Sequence, residues 1–135
     1  MLVRHGRAGK RGQAGSNDSR RPLDKRGVAQ ARALPALLAG FEIERILSSS
    51  FTRCVQTVEP LAEERGLGIE QRDELADDAG DEALHFLESL TAGSVACTHG
   101  DVIATVLGPQ RTAKKGSVWV LEPGTLEPAG YLNPK

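Results

Sequence analysis

Leu2-Val3-Arg4-His5-Gly6 opens the 135-residue chain with an apolar pair that runs directly into Arg, His and Gly. Met1–Arg4 predicts a short first strand, which places His5 at the carboxyl end of that strand. Ligands of α/β sheets bind at this edge. Because the strand is so short, either a segment upstream of it is missing or the strand begins at the terminus.

Strand and helix patterns alternate along the rest of the chain. Strands are predicted over 44–47, 69–71, 94–98 and 117–121, and helices over 24–39 and 51–64, from 81 and from 101. This alternation predicts an α/β fold, a three-layer sandwich with a mostly parallel central sheet and helices on both faces. No internal repeat or boundary divides residues 1–135, so a single domain is expected.

Several residues are expected to shape these elements. Asp24 should cap the first helix, the run Ser48-Ser49-Ser50 the second and Asp101 the fourth. Trp119 is expected to anchor the core from the last clear strand, and the tail from Pro123 to be weakly structured or an edge strand.

The net charge is only −1, but it is unevenly distributed. Residues 1–26 contain eight Lys or Arg against Asp18 and Asp24, which gives this segment a charge of +6. Such a segment beside a reactive His would attract a phosphorylated substrate; the alternative is an ordinary solvated basic loop. Nucleic-acid binding is not expected, because no aromatic side chains interleave with the charges.

Location is inferred from what the sequence contains and omits. No apolar run approaches the length of a membrane span, and no secretory signal pattern is visible. Cys54 and Cys97, both in apolar segments, are expected to be reduced and buried. A cytoplasmic protein without membrane association is therefore predicted, and the oligomeric state is left open.

Three chemically informative residues follow predicted strands. His5 follows the first, Arg53 lies in the first helical turn after the second, and His99 follows the strand 94–98. A neutral His5 could attack phosphorus through one ring nitrogen, while the guanidinium groups of Arg4 and Arg53 and the ring of His99 neutralise the phosphoryl oxygens. Transfer to or from an alkoxide also needs an acid, for which Asp77 or Asp78 is the candidate.

This set resembles the histidine phosphatase superfamily, whose fold is that of the phosphoglycerate mutases. Residues 2–6 resemble its signature, residues 48–57 its second block and residues 98–101 its third, so the resemblance covers nearly the whole chain. It implies His5 as the phosphorylated nucleophile and Arg4, Arg53 and His99, with Gly6, as the phosphate-binding set.

The small SixA-type phosphohistidine phosphatases are the most similar members in length and in the stretch before the first helix. A phosphohistidine protein or a small phosphoester is therefore the expected substrate. His99-Gly100-Asp101 instead resembles the mutase-like branch and phosphatase domains fused behind Nudix hydrolases, which keeps a nucleotide or sugar-phosphate substrate, and a Nudix-type partner, as the alternative.

Two rival interpretations remain. One is a non-catalytic, phosphate-binding regulatory module that retains the pocket. The other is a metal site made from His5, His99 and Asp101, which Arg4 and Arg53 disfavour because guanidinium groups repel a dication. No metal and no cofactor is expected.

Overall fold

A computed structural model describes residues 1–9, 18–77 and 79–134 of the chain. Its six strands form one sheet: β1 (Leu2–Arg4), β2 (Arg45–Ser48), β3 (Ile69–Gln71), β4 (Ser94–Thr98), β5 (Val118–Leu121) and β6 (Pro128–Leu132). The helices are α1 (Lys25–Leu37), α2 (Thr52–Arg65), α3 (Asp81–Glu88) and α4 (Gly100–Leu107), with 3-10 turns at Asp18–Arg20 and Asp73–Leu75. The prediction of an α/β sandwich is confirmed.

The sheet is mixed, with the strand order β3-β2-β4-β1-β5-β6. The first four strands run parallel to their neighbours, whereas β5 pairs antiparallel with β1, and β6 pairs antiparallel with β5. The mostly parallel prediction therefore holds for β1–β4 and not for the last two strands. No helix separates β5 from β6, so these strands form a hairpin-like pair instead of a crossover.

Helices cover both faces of this sheet. Leu34 and Leu38, from α1 and its end, pack with Val58 and Leu61 of α2 against one face. A second cluster joins α3 and α4 to the opposite face, and includes Leu2, Leu47, Leu87, Ala96, Ile103 and Leu107. Within the described residues, no helix has both the length and the apolar content needed to cross a membrane.

The capping predictions have different outcomes. Asp24 caps α1 as expected, since its carboxylate accepts a hydrogen bond from the Gly27 amide at 2.9 Å. The serine run does not cap α2, because Phe51 occupies the N-cap position without a side-chain bond. Asp101 does not cap α4 either: the helix begins one residue earlier, so Asp101 lies inside its first turn and His99 takes the cap position.

Near the carboxyl end of the chain, Trp119 is only partly buried. Its ring lies 4.6 Å from that of Tyr131 in β6, and its Nε1–H donates to the Thr112 carbonyl. The indole therefore covers the margin of the core and does not anchor its centre, because β6 is an edge strand with little protein beyond it.

Candidate active site

Parallel register brings the ends of three strands together. Arg4 lies opposite Thr98, and Ser48 lies opposite Cys97. Hydrogen bonds to β4 continue one residue beyond the ends of β1 and β2. The His5 amide donates to the Thr98 carbonyl at 3.1 Å, and the Ser49 amide donates to the Cys97 carbonyl at 3.0 Å. The residues that follow β1, β2 and β4 therefore meet at one edge of the sheet.

A cleft of about 1400 Å³ opens at this edge. The predicted side chains Arg4, His5, Arg53, His99 and Asp77 all line it. Gly6 lies directly beside His5, and its amide is held by the hydroxyl of Thr57. Asp78, the other candidate acid, falls outside the described residues.

His5 is buried, and its ring is oriented by its own backbone. Nδ1 lies 2.8 Å from the Gly6 carbonyl oxygen. Since a carbonyl can only accept, Nδ1 carries the proton and Nε2 keeps its lone pair. Burial is the main reason that the pKa of His5 falls to about 3, and His99, Arg53 and Arg4 lower it further. The ring is therefore neutral at physiological pH, and the lone pair on Nε2 is available for nucleophilic attack.

His99 is oriented by Ser49, which belongs to the serine run that was predicted to cap α2. Ser49 Oγ accepts from the Phe51 amide at 3.3 Å and lies 2.9 Å from Nε2 of His99. If the serine hydroxyl donates to Nε2, the imidazole proton resides on Nδ1. The Phe51 ring packs edge-on against the same imidazole, with centroids 4.7 Å apart. Ser49 follows β2 as His5 follows β1, so its position in the sequence was the signal that could have identified it.

Arg53 is held from the far side of the cleft. Its Nη1 donates to the Asp18 carbonyl at 3.0 Å and its Nη2 lies 3.3 Å from the Asp18 carboxylate. Burial acts to raise the pKa of Asp18, but the guanidinium groups of Arg53 and Arg21 outweigh it and hold that pKa below its ordinary value. Asp18 also forms an ion pair with Arg21, at 3.0 Å.

Thr57 links α2 to the loop after β1, a role that was not predicted from the sequence. Its hydroxyl accepts from the Gly6 amide at 2.8 Å and donates to the Arg53 carbonyl one turn earlier at 2.7 Å. The His5 backbone and the Arg53 backbone are therefore fixed relative to each other through one buried side chain.

Three buried nitrogens belong to side chains that line the cleft. Among the described residues, Arg4 Nε, Arg53 Nε and His99 Nδ1 are buried and lack a hydrogen-bond partner. Buried donors are rarely left unsatisfied, so a group of three marks a place suited to an anion. The ring of His5, with its free Nε2, lies 5.4 Å from the ring of His99.

Other predicted residues have different surroundings. Asp77 and Asp101 both line the cleft. His85 is exposed on α3, with four-fifths of its side chain accessible. Cys54 and Cys97 are buried free thiols, as expected. The Cys54 Sγ lies 3.6 Å from Nε2 of His99, beneath the pocket.

The solved structures that this chain resembles support the fold. It aligns with a SixA protein from Agrobacterium tumefaciens at a TM-score of 0.81 and 23% identity, covering 99% of this chain and 96% of that one. A protein histidine phosphatase SixA complexed with tungstate aligns at a TM-score of 0.74 and 25% identity, covering 98% of this chain and 92% of that one.

Sequence comparison identifies a relative and a family. An 8-oxo-(d)GTP phosphatase of Mycolicibacterium smegmatis is 37% identical over 153 aligned positions, which cover 99% of this chain and 48% of the relative. The chain thus spans about half the length of that protein. The profile of the Histidine phosphatase superfamily (branch 1) matches residues 1–85, which is more than half of the chain. The chain therefore belongs to branch 1 of the histidine phosphatase superfamily.

Proposed function

We propose that this protein is a phosphatase that carries the phosphoryl group on Nε2 of His5 and then releases it to water. One observation carries the proposal: a neutral, oriented imidazole lines the same cleft as Arg4, Arg53 and His99, each of which has a buried nitrogen without a hydrogen-bond partner. A phosphoryl group in transfer has three equatorial oxygens that carry negative charge, and these donors are suited to them.

The reaction proceeds in two displacements. The lone pair of His5 Nε2 forms an N–P bond while the bond from phosphorus to the leaving group breaks. Arg4, Arg53 and His99 neutralise the oxygens during this step. Water then attacks the phosphohistidine, inorganic phosphate leaves, and the electron pair returns to Nε2.

Asp77 is the proposed proton donor. It lines the cleft just after the 3-10 turn Asp73–Leu75. That turn is attached to the end of β4, because Thr98 Oγ1 donates to the Leu75 carbonyl at 2.6 Å. An alkoxide leaving group needs such an acid, whereas the imidazole of a phosphohistidine leaves with much less assistance.

The proposed substrate is a phosphohistidine protein or a small phosphoester. A nucleotide phosphate is the second candidate, favoured by the 37% identity to the 8-oxo-(d)GTP phosphatase. That the chain works beside a Nudix-type partner in the cytoplasm stays a prediction.

Replacing His5 tests the chemistry. His5→Ala should abolish phosphate release from p-nitrophenyl phosphate and prevent formation of an acid-labile phosphoryl label on the protein. His85→Ala, which removes an exposed imidazole, is the matched control and should retain both. If His5→Ala still turns over, the nucleophile is wrong; if the wild type binds phosphate without turnover or label, the chain is a binding module.

Asp77→Asn addresses the acid and the substrate together. Hydrolysis of alkyl phosphates should fall about 10²- to 10⁴-fold, the range for a lost general acid, while phosphohistidine turnover persists. Asp73→Asn is the control, since Asp73 is exposed in the neighbouring 3-10 turn and does not line the cleft. Equal losses on both substrates, or no loss on either, would remove Asp77 from the acid role.

A further inference from the structure

Two cations lie on the rim of the cleft, beyond the phosphoryl pocket. Arg7 comes from the loop after β1, and Lys115 from the loop before β5, and both line the cleft. Neither residue belongs to the set that surrounds His5. They indicate that the cleft recognises more of its substrate than one phosphoryl group.

The loop that carries Lys115 is fastened to the nucleophile strand. The Gly116 amide is within hydrogen-bonding distance of the carbonyls of both Arg4 (3.0 Å) and His5 (3.1 Å). Arg4 Nη1 also donates to the Ala113 carbonyl at 2.6 Å. The backbone of Lys115 is therefore fixed directly beside the pocket, although its side chain is exposed.

Gln30 of α1 contacts both of the loops that carry Arg7 and Lys115. Its Oε1 accepts from the Arg7 amide at 2.8 Å. Its Cβ lies so near Gly116 that a Cβ added there would be 2.9 Å away, and Gly116 has φ +80°. Because both loops contact one glutamine, Arg7 and Lys115 flank the same stretch of rim.

The cleft as a whole has an excess of positive charge. The cleft is lined by five cationic side chains (Arg4, Arg7, Arg21, Arg53 and Lys115) and three carboxylates (Asp24, Asp77 and Asp101). Asp24 pairs with Arg7 at 3.0 Å, whereas no ion pair holds Lys115 within the described part of the chain.

The positive charges near Lys115 also favour an anion at this position. Partial loss of hydration beside the cleft lowers the pKa of Lys115, and repulsion from Arg4, Arg7 and Arg21 lowers it further, whereas Asp24 acts to raise it. A bound anion would relieve this repulsion, so the electrostatics favour negative charge at the rim as well as in the pocket.

We propose that Arg7 and Lys115 form a second anion subsite, which holds a second phosphate of the substrate beside the one transferred to His5. The inference rests on the proposed function, because it identifies the substrate class of that same site as diphosphate esters. Arg21 does not belong to the subsite, since two of its nitrogens, Nε and Nη1, are engaged by Asp18 and the Gly9 carbonyl. In the described part of the chain, the Arg7 guanidinium is paired through Nε alone, with Asp24.

The chemistry of such a substrate balances without a further reactant. The N–P bond forms between His5 Nε2 and the terminal phosphorus, and the bond to the bridging oxygen breaks. That oxygen keeps the electron pair and leaves on a phosphate monoester, which is a far weaker base than an alkoxide. Water then releases inorganic phosphate, with its protons shared between the product and solvent.

Calorimetric titration with two non-hydrolysable probes tests the subsite. Methylphosphonate carries one anionic group, and methylenediphosphonate carries two joined by carbon. Wild type should bind the diphosphonate more tightly, and Lys115→Met should reduce the ratio of the two affinities about tenfold, as expected for a lost charge-assisted contact. Lys114→Met is the matched control, because Lys114 is also exposed but does not line the cleft.

Two results would overturn the subsite. One is equal affinity of the wild type for both probes. The other is an equal change of the ratio in Lys114→Met and Lys115→Met, which would indicate only general electrostatic attraction. Turnover of p-nitrophenyl phosphate by the wild type is measured in parallel, so that failure of the phosphatase proposal is read separately from failure of the subsite.

Discussion

Gly100 is the position where a single methyl group should separate activity from stability. It is the first residue of α4 and directly faces the Arg4 guanidinium. A Cβ added to Gly100 would lie 2.9 Å from Cζ and 3.0 Å from Nε and Nη2 of Arg4. The Arg4 side chain therefore has to move in Gly100→Ala, since carbon atoms prefer separations of about 3.5–4.0 Å.

The magnitude follows from this contact. Arg4 has to retreat by about half an ångström or more to reach an ordinary contact. A misplacement of about 1 Å can cost a catalytic site about 100-fold, so kcat/KM should fall about 10- to 100-fold. Stability should not fall with it, because Ala is favoured over Gly in helices by up to about 1 kcal/mol and the displaced group is the end of a side chain.

The assay pairs kcat/KM on p-nitrophenyl phosphate with the thermal unfolding midpoint. Gly40→Ala is the control, because nothing lies within 4 Å of a Cβ added there. In an Arg4→Ala background, Gly100→Ala should cost little more, since the two changes act through one contact. The reasoning would be refuted if Gly100→Ala kept the kcat/KM of the wild type. It would also be refuted if Gly100→Ala lowered kcat/KM as much in the Arg4→Ala background as in the wild type.

Two further predictions concern His5 and its support. Thr57→Val removes the acceptor of the buried Gly6 amide, so the free energy of unfolding, measured in urea, should fall by about 1–3 kcal/mol. Thr105→Val, at an exposed threonine, is the control and should lower the free energy of unfolding clearly less. Burial holds the pKa of folded His5 at about 3 against 6.5 for the ordinary side chain, so the unfolded state gains a proton first and stability falls as pH drops below about 6.5. Between about pH 7.5 and about pH 5.5, wild type should lose about 1.4 kcal/mol more than His5→Gln; equal losses would contradict this.

Much of the architecture could be predicted because it depends on local patterns. The strand Ser94–Thr98, whose residues are all buried, was predicted with its observed bounds, and so was Ile69–Gln71. The helix Phe51–Glu64 was predicted one residue early at each end, since the apolar stripe includes Phe51, which the structure places at the cap. Orientation of the last two strands was not predictable in this way, because it depends on how the chain turns after α4.

Sequence by itself determined which residues follow strands at the binding edge. His5, Arg53 and His99 are recognisable because a strand pattern and a polar residue type are local properties. Only the tertiary structure decided how they are held: the Gly6 carbonyl selects the His5 tautomer, Ser49 orients His99, and Asp18 holds Arg53. Except for the contact between His5 and the adjacent Gly6, these contacts join residues that are 35 to 50 positions apart in the chain.

The same distinction applies to the rim of the cleft. In the sequence, Lys115 is one of two adjacent lysines, and nothing local separates it from Lys114. Folding places Lys115 on the cleft and Lys114 away from it, because the Gly116 amide is hydrogen-bonded to the carbonyls of Arg4 and His5 at the end of β1. Charge and reactivity are properties of single residues, whereas their convergence at one edge of the sheet depends on long-range backbone pairing, which no local pattern encodes.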